Sequence, residues 1–345
     1  MYFLYSNIKL VKGSNRSILY DLHNLKYDLI PNELYYLFKK SNTLFYLESE
    51  NSEYIDFLNK NEYIFELEKE EEVLFPSLDL SWDYPAELTN IIVHLTVLNL
   101  HILSVLAESN VKAIGIIINE LNETSYNKIL SIVNSRISKE TSIQAIEIFI
   151  LNGKDGNVFV KKLKDIQFIS KVHISKLING THENIYAQKR VILNPPNISL
   201  YTELQSHHSY FNRKLYIDEH GNIKNAPSAS DIYGNIKKIK TYKNLKEIIE
   251  LEDFRKYWFV KKHECDVCKD CEFRYMCIDN RLPIKRKENE FFHLEECDYN
   301  PYISKWVYQK GYKALTECGI QSNKQGFKIN RKKLNTINKE LWGDD

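Results

Sequence analysis

All six cysteines of this 345-residue chain lie after residue 264. A disulfide scaffold distributes its cysteines through a small secreted chain, whereas a cluster confined to one stretch is typical of a metal site. Four of the cysteines have a spacing that suits a single centre: Cys268, Cys271, Cys277 and Cys297. The first two are separated by two residues, so both thiolates can bind one centre from the same tight turn. The spacing therefore predicts a four-cysteine metal site.

Four thiolates can hold either an iron–sulfur cluster or a structural zinc ion. Zinc sites more often contain two well-separated Cys-x2-Cys pairs. Here the only two such pairs overlap on Cys268, because Cys265, Cys268 and Cys271 follow one another at steps of three residues. The overlap favours one [4Fe-4S] cluster, with zinc as the alternative. Cys265 is an alternative to Cys268 as a ligand, and Cys318 is expected to be an ordinary half-buried thiol.

Composition and net charge narrow the classes of protein to which the chain can belong. Hydrophobic residues make up 43% and charged residues 27% of the chain, which predicts a packed core, and the net charge of +1 argues against nucleic-acid binding. The start of the chain lacks the basic region and cleavage site of a secretory signal, so we expect a cytoplasmic protein. The longest apolar stretch, residues 91–107, is short for a bilayer span of ~20 residues and predicts a buried helix without membrane contact.

Sequence patterns divide the chain into three segments. Residues 1–77 contain three short strand patterns, the last at Lys26–Ile30, followed by helical patterns, as in a small winged-helix-like domain. Residues 78–205 alternate strand and helix, with a buried parallel strand at Ala113–Ile118, which predicts a parallel sheet with helices packed on it and too few units for a closed eight-stranded barrel. Residues 206–345 begin with a hairpin, continue into the cysteines and end in a polar stretch expected to be loosely ordered. The predicted fold class is α/β.

The cysteine segment resembles the last cluster site of SPASM domains, which are attached to radical SAM peptide-modifying enzymes. The string Cys268-Lys-Asp-Cys271-Glu-Phe-Arg-Tyr-Met-Cys277, with the later Cys297-Asp-Tyr-Asn-Pro, looks in particular like the SPASM maturase of the grasp-with-spasm systems. Lys214-Leu-Tyr-Ile-Asp is a further match. The resemblance implies a precursor-peptide recognition domain in residues 1–77, a degenerate radical-SAM-like partial barrel in residues 78–205 and a SPASM-like iron–sulfur domain in residues 206–345.

The chain also departs from the family pattern. A SPASM domain with two clusters has a cysteine where Ala226 stands, and another where Asn280 or Arg281 stands, so one cluster is expected and not two. Radical SAM chemistry needs a Cys-x3-Cys-x2-Cys loop, but no cysteine precedes Cys265. We therefore expect that the protein does not cleave S-adenosylmethionine.

The resemblance implies an accessory maturase for a ribosomally made, post-translationally modified peptide. Its expected partners are the leader of the precursor peptide and an ATP-grasp ligase. The chain itself has no Walker-type phosphate loop, so no ATP chemistry is assigned to it.

The predicted route for leader binding is strand addition. The leader would pair with an exposed edge and place its apolar residues against a neighbouring helix. The residues expected to contact it are Lys26, Tyr27, Asp28 and Leu29 on the edge and Tyr54 and Leu58 on the helix. Packing within the core of a small domain is the competing explanation for each of these residues.

Two other functions stay open at this stage. One is a peptide-modifying enzyme that uses its cluster for redox or Lewis-acid chemistry, although four cysteine ligands leave no open position on the metal. The other is a zinc-stabilised scaffold for protein interactions. No catalytic residue is assigned.

Overall fold

The computed structural model describes residues 1–41, 43–48, 52–96, 101–137, 143–152, 157–167, 169–174, 177–178, 181–182 and 191–343. The α-helices of these residues are α1 (Asn32–Leu37), α2 (Ser52–Lys60), α3 (Ile102–Ala107), α4 (Glu123–Ile137), α5 (Val158–Lys164), α6 (Ile198–Ser206), α7 (Tyr242–Ile249), α8 (Glu252–Arg255) and α9 (Arg331–Trp342). Short 3-10 helices cover Lys69–Leu74, Ile236–Lys238, Lys262–Glu264, Cys268–Asp270 and Glu272–Tyr275.

The strands are β1 (Tyr2–Leu4), β2 (Ile8–Lys12), β3 (Ser17–Asp21), β4 (Lys26–Ile30), β5 (Lys39–Lys40), β6 (Phe45–Leu47), β7 (Ile64–Glu66), β8 (Asn90–His94), β9 (Ala113–Ile118), β10 (Ala145–Ile150), β11 (Ile169–Ile174), β12 (Leu177–Ile178), β13 (Thr181–His182), β14 (Val191–Leu193), β15 (Lys214–Ile217), β16 (Asn222–Lys224), β17 (Gly234–Asn235), β18 (Cys277–Asp279), β19 (Ile284–Lys287), β20 (Glu290–Phe292), β21 (Tyr299–Asn300), β22 (Lys305–Trp306), β23 (Ile320–Asn323) and β24 (Gly326–Ile329).

Internal contacts divide the chain into two compact units. One contains residues 1–82, 191–209 and 260–345, and the other contains residues 83–190 and 210–259. The three-domain division stays a prediction, because compactness alone does not show which segments fold independently.

The unit of residues 83–190 and 210–259 is built on a mixed seven-stranded sheet with the strand order β11-β10-β9-β8-β15-β16-β17. The strands from β11 to β15 are parallel, and β16 and β17 continue the sheet antiparallel. The branched apolar run of β9 is buried almost throughout, as is typical of a parallel strand covered on both faces. The prediction of an α/β fold is confirmed at this level. The winged-helix and barrel-like assignments stay predictions.

In the other unit, β2, β3 and β4 form an antiparallel sheet of which β3 is the central strand. Every residue of β3 is buried because both faces of the sheet are covered. Leu19 belongs to a core cluster with Leu34 and Leu58, whereas Ile18 and Tyr20 pack in a second cluster with aromatic residues of the cysteine segment. Because successive side chains of a strand point to opposite faces, β3 contributes residues to two separate cores.

Two expectations about secondary structure are wrong. The stretch 91–107 is not one buried helix, because strand β8 occupies its start and α3 its end, with residues 97–100 outside the described part. The polar stretch after residue 320 is not loosely ordered but forms the hairpin β23–β24 and helix α9, which bury Ile320, Leu334 and Ile337. A few apolar residues at the right spacing are enough to order a mostly polar segment.

The part of the chain that the structure describes contains no helix that could cross a lipid bilayer.

Candidate metal centre

In the structure the four predicted cysteines line one cavity. They are Cys268, Cys271, Cys277 and Cys297. The first begins the 3-10 helix Cys268–Asp270, the second follows that helix directly, and the third begins β18. The fourth lies two residues before β21 and accepts a hydrogen bond on its sulfur from the Tyr299 amide (3.4 Å). Apolar side chains, among them those of Leu193, Phe273 and Trp306, make up much of the remaining lining.

Burial shifts the pKa of three of the four thiols. Loss of hydration, followed by repulsion from neighbouring acidic groups and thiols, raises the pKa of Cys271 well above its ordinary value. Burial also raises the pKa of Cys277, and it raises that of Cys297 to about 11 despite the nearby Arg281 charge. Burial therefore favours the protonated form of Cys271, Cys277 and Cys297, and a metal must displace these protons when it binds.

A buried group of charged residues lies beside the thiols. Asp279 accepts hydrogen bonds from Lys262 Nζ at 2.6 Å and from Arg281 Nη2 at 2.8 Å. The side chains of all three residues are at most 5% exposed. Two cations and one anion leave excess positive charge here, and Arg281 Nη2 lies 3.6 Å from Cys268 Sγ. Such an environment compensates the negative charge that metal-bound thiolates carry.

A second ligand set overlaps with the first. The described residues contain one set of three histidine, cysteine or carboxylate ligand atoms within 4.8 Å of one another, which comes from Cys268, Asp279 and His293. This buried set could bind a metal. However, both oxygens of Asp279 already accept hydrogen bonds from Arg281. A metal at this position would therefore compete with a buried cation for the Asp279 carboxylate.

The two remaining cysteines lie elsewhere. Cys265 is buried against Cys268 and Phe291 and donates from its sulfur to the Lys261 carbonyl (3.5 Å), and it does not line the shared cavity. Cys318 is buried within the cluster that includes Ile320. All six cysteines are free thiols.

Comparison of the chain with protein-family models, with curated proteins and with solved structures gave no match.

The hairpin of β2 and β3, here called the N-terminal hairpin, contacts the segment that carries the cysteines, residues 265–297. Arg16 Nε donates to Glu272 Oε1 at 2.7 Å, and Tyr299 Oη donates to the same oxygen at 2.5 Å. Glu272 is fully buried, and its carbonyl oxygen accepts a hydrogen bond from the Tyr20 hydroxyl. The Ser14 amide also donates to the Asp270 carbonyl at 2.7 Å. The loop that carries the cysteines is thus held in part by residues near the start of the chain.

The structure places the predicted peptide-contacting residues in two different environments. On β4, which has β3 as its single pairing partner among the described strands, Lys26, Tyr27 and Leu29 are exposed. Asp28 accepts a hydrogen bond from the Tyr63 hydroxyl. On α2, Leu58 is fully buried and Tyr54 packs against the same core cluster.

Local patterns do not reveal the residues that set the charge at the site. Lys262 and Glu272 look like ordinary polar residues in the sequence, and their burial results from contacts with other segments. Arg281 carries one signal, because it is one of the two positions, with Asn280, at which the resemblance to SPASM domains implies a cysteine that is absent. In the structure its guanidinium lies beside the sulfur of Cys268.

Proposed function

We propose that the chain holds one [4Fe-4S] cluster on Cys268, Cys271, Cys277 and Cys297 and acts as an accessory maturase that binds a precursor leader. The observation that carries the metal proposal is the single cavity that these four cysteines line. The two cations Lys262 and Arg281 outnumber the single anion Asp279 beside the cavity. This excess positive charge supports the metal proposal, because four thiolates around a cluster carry net negative charge. A bound cluster would supply a rigid cross-link between the cysteine-bearing loops and a redox-active centre.

The positions of the cysteines along the chain favour a cluster over zinc. Structural zinc sites more often have two well-separated Cys-x2-Cys pairs, whereas here the two pairs overlap on Cys268. A [4Fe-4S] cluster is held by four cysteine thiolates, which matches the four cysteines that line the cavity.

The exposed edge of β4 supports leader binding by strand addition. Tyr27 and Leu29 are 39% and 41% exposed and point to the same face of the strand, as residues two apart do. The ring of Tyr27 packs edge-on against Phe273 at 6.0 Å between centroids, and Phe273 lines the cysteine cavity. A peptide paired with β4 would therefore lie next to the segment that holds the cluster.

The metal proposal is tested on full-length protein purified without oxygen. We expect about four iron and four sulfide per chain and the broad brown absorption of a cubane cluster. Cys271→Ala should lose the metal, whereas Cys318→Ala, which changes a buried thiol outside the cavity, should retain it. Stoichiometric zinc without iron would instead support the scaffold alternative, and full metal content in Cys271→Ala would refute the ligand set.

The maturase proposal is tested by titrating the precursor leader and by reconstituting the modification. Leu29→Asp should weaken leader binding about tenfold or more, because the charge would replace an apolar contact. Tyr36→Asp changes a residue that is 64% exposed on α1 and should leave binding unchanged. Precursor and ligase are then incubated with and without this protein, and the products are followed by mass. Equal yields in both reactions would exclude an accessory role.

A further inference from the structure

The two faces of the seven-stranded sheet differ in chemistry. On β15, Leu215 and Ile217 are fully buried in the main hydrophobic core of their unit. Successive side chains of a strand alternate between the faces, so Lys214 and Tyr216 point to the other face. The residue paired with Lys214 on the neighbouring parallel strand β8 is Asn90, so these two side chains lie side by side on that face. The metal and leader proposals make no use of this face.

Lys214 is buried without an ionic partner. The residue is 6% exposed, and its Nζ lies 3.7 Å from the centroid of the Tyr210 ring. No described residue forms a hydrogen bond or an ion pair with this amine, and the half-exposed Glu147 acts on it only from a longer distance. Burial lowers the pKa of Lys214 to about 7, although the charge of Glu147 acts in the opposite direction. A large share of these side chains therefore carries a neutral amine with a lone pair at neutral pH.

The neighbouring Asn90 carries a second unpaired group. Its Oδ1 is buried and has no hydrogen-bond partner among the described residues. The next two positions across the sheet are Ala113 and Ala145, whose short side chains leave space on this face. A ligand here should react with or bind an amine and donate to an amide oxygen. A carboxylate can only accept, whereas a carbonyl oxygen becomes a donating hydroxyl once an amine adds to its carbon.

We propose that Lys214 is a nucleophile that forms an imine with a small aldehyde on this face of the sheet. The Nζ lone pair adds to the carbonyl carbon, and a proton moves from nitrogen to oxygen to give a carbinolamine, whose hydroxyl donates to Asn90 Oδ1. Loss of that hydroxyl with the remaining N–H proton releases water and leaves a C=N bond, so the step needs no oxidant or reductant. All cysteines lie outside this unit, so the reaction does not require the cluster.

The test treats the full chain with propanal and sodium cyanoborohydride at pH 7, where the reductant converts an imine into a stable N-propyl group. Peptide mapping by mass then compares Lys214 with Lys238, an exposed lysine of the same unit. An ordinary lysine is almost wholly ammonium at this pH, so we expect at least about tenfold more label on Lys214 in spite of its burial. A smaller ratio would overturn the proposal, and the comparison needs no variant.

Variants locate the reaction. Lys214→Met should remove the favoured site of labelling without lowering the thermal unfolding midpoint, because the amine that it replaces has no ionic partner. Lys224→Met, on the adjacent strand β16, changes a lysine paired with Asp218 at 3.1 Å and should be labelled like the unmodified chain. Equal total label in Lys214→Met and Lys224→Met would count against Lys214.

Sodium propionate, the carboxylate of the same chain length, tests the class of ligand. At a concentration equal to that of propanal it should leave the labelling rate of Lys214 unchanged. Suppression of the labelling would show that the site binds carboxylates through the ammonium form, and it would overturn the assignment of an aldehyde.

Discussion

The amide of Cys268 donates a hydrogen bond to the carbonyl oxygen of Asp266 at 2.7 Å and closes a three-residue γ-turn around Val267. Val267 has φ 66° and ψ −50°, a conformation that is rare and strained for a β-branched residue. Its side chain is nonetheless buried with Tyr302 and Ile320. Such strain persists when the surrounding packing fixes the conformation. Here the turn directly precedes the first of the four cysteines.

The γ-turn predicts an unusual order of stability for two variants of Val267. Both Val267→Ala and Val267→Gly remove buried apolar contacts, but glycine adopts positive φ without strain. At an ordinary position glycine is less stable than alanine by about 0.5–1 kcal/mol. Here we expect Val267→Gly to be at least as stable as Val267→Ala, as measured by urea unfolding. The ordinary order of the two variants would show that the turn is not strained.

The buried charges beside the thiols predict a large effect at Asp279. Asp279→Asn removes the anion between Lys262 and Arg281, and uncompensated buried charge costs about 3–5 kcal/mol of unfolding free energy. The half-buried Asp298, whose neutralisation as Asp298→Asn should change stability by about 0.5 kcal/mol or less, is the control. Equal unfolding free energies for the two variants would contradict the charge assignment.

The ion pair between the N-terminal hairpin and the cysteine segment predicts that the stabilisation from an ion pair increases with its burial. Arg16→Leu leaves the fully buried Glu272 without its cation and should lower the unfolding free energy by about 3 kcal/mol. The ion pair of Lys39 and Glu48 has a similar length, 2.6 Å, but both of its side chains are about half exposed. Lys39→Leu should therefore cost less than about 1 kcal/mol in the same urea titration. Similar losses in the two variants would mean that burial does not strengthen the Arg16 pair.

Glu72 predicts a pH dependence in the N-terminal region. Burial by itself would raise the pKa of its carboxyl, but hydrogen bonds from Ser41, Thr43 and the Leu44 amide lower it to about 2. The proton therefore binds more tightly in the unfolded chain, so this stabilisation is present above pH ~4.5 and is lost as the pH falls towards 2. Compared with Glu72→Gln, the unmodified chain should be more stable by roughly 2 kcal/mol at pH 7.

The measurement for Glu72 is the unfolding free energy of both proteins between pH 7 and the lowest pH at which they stay folded. The advantage of the unmodified chain should shrink steadily below pH ~4.5. A difference that stays constant with pH, or that grows on acidification, would show that Glu72 is not held as a carboxylate.

Several elements could be predicted because their signals are local. The branched run of β9 and the turn-bounded strands β3 and β4 occur where the patterns place them. The stretch 91–107 could not be resolved in this way, because a buried strand and a buried helix give the same continuous apolar run. The ordered tail was missed because its few buried residues, such as Leu334 and Ile337, are surrounded by polar ones.

The sequence by itself determined the chemistry of the candidate centre: four thiols, three of them within one short stretch, and none before residue 265. Spacing along the chain carries this information because neighbouring residues must be close in space. Only the tertiary structure decided what surrounds the thiols. Glu272 meets Arg16, 256 residues away, and the shared cavity depends on segments as distant as β14. Burial and charge pairing arise from packing between such distant segments, so no local pattern could predict them.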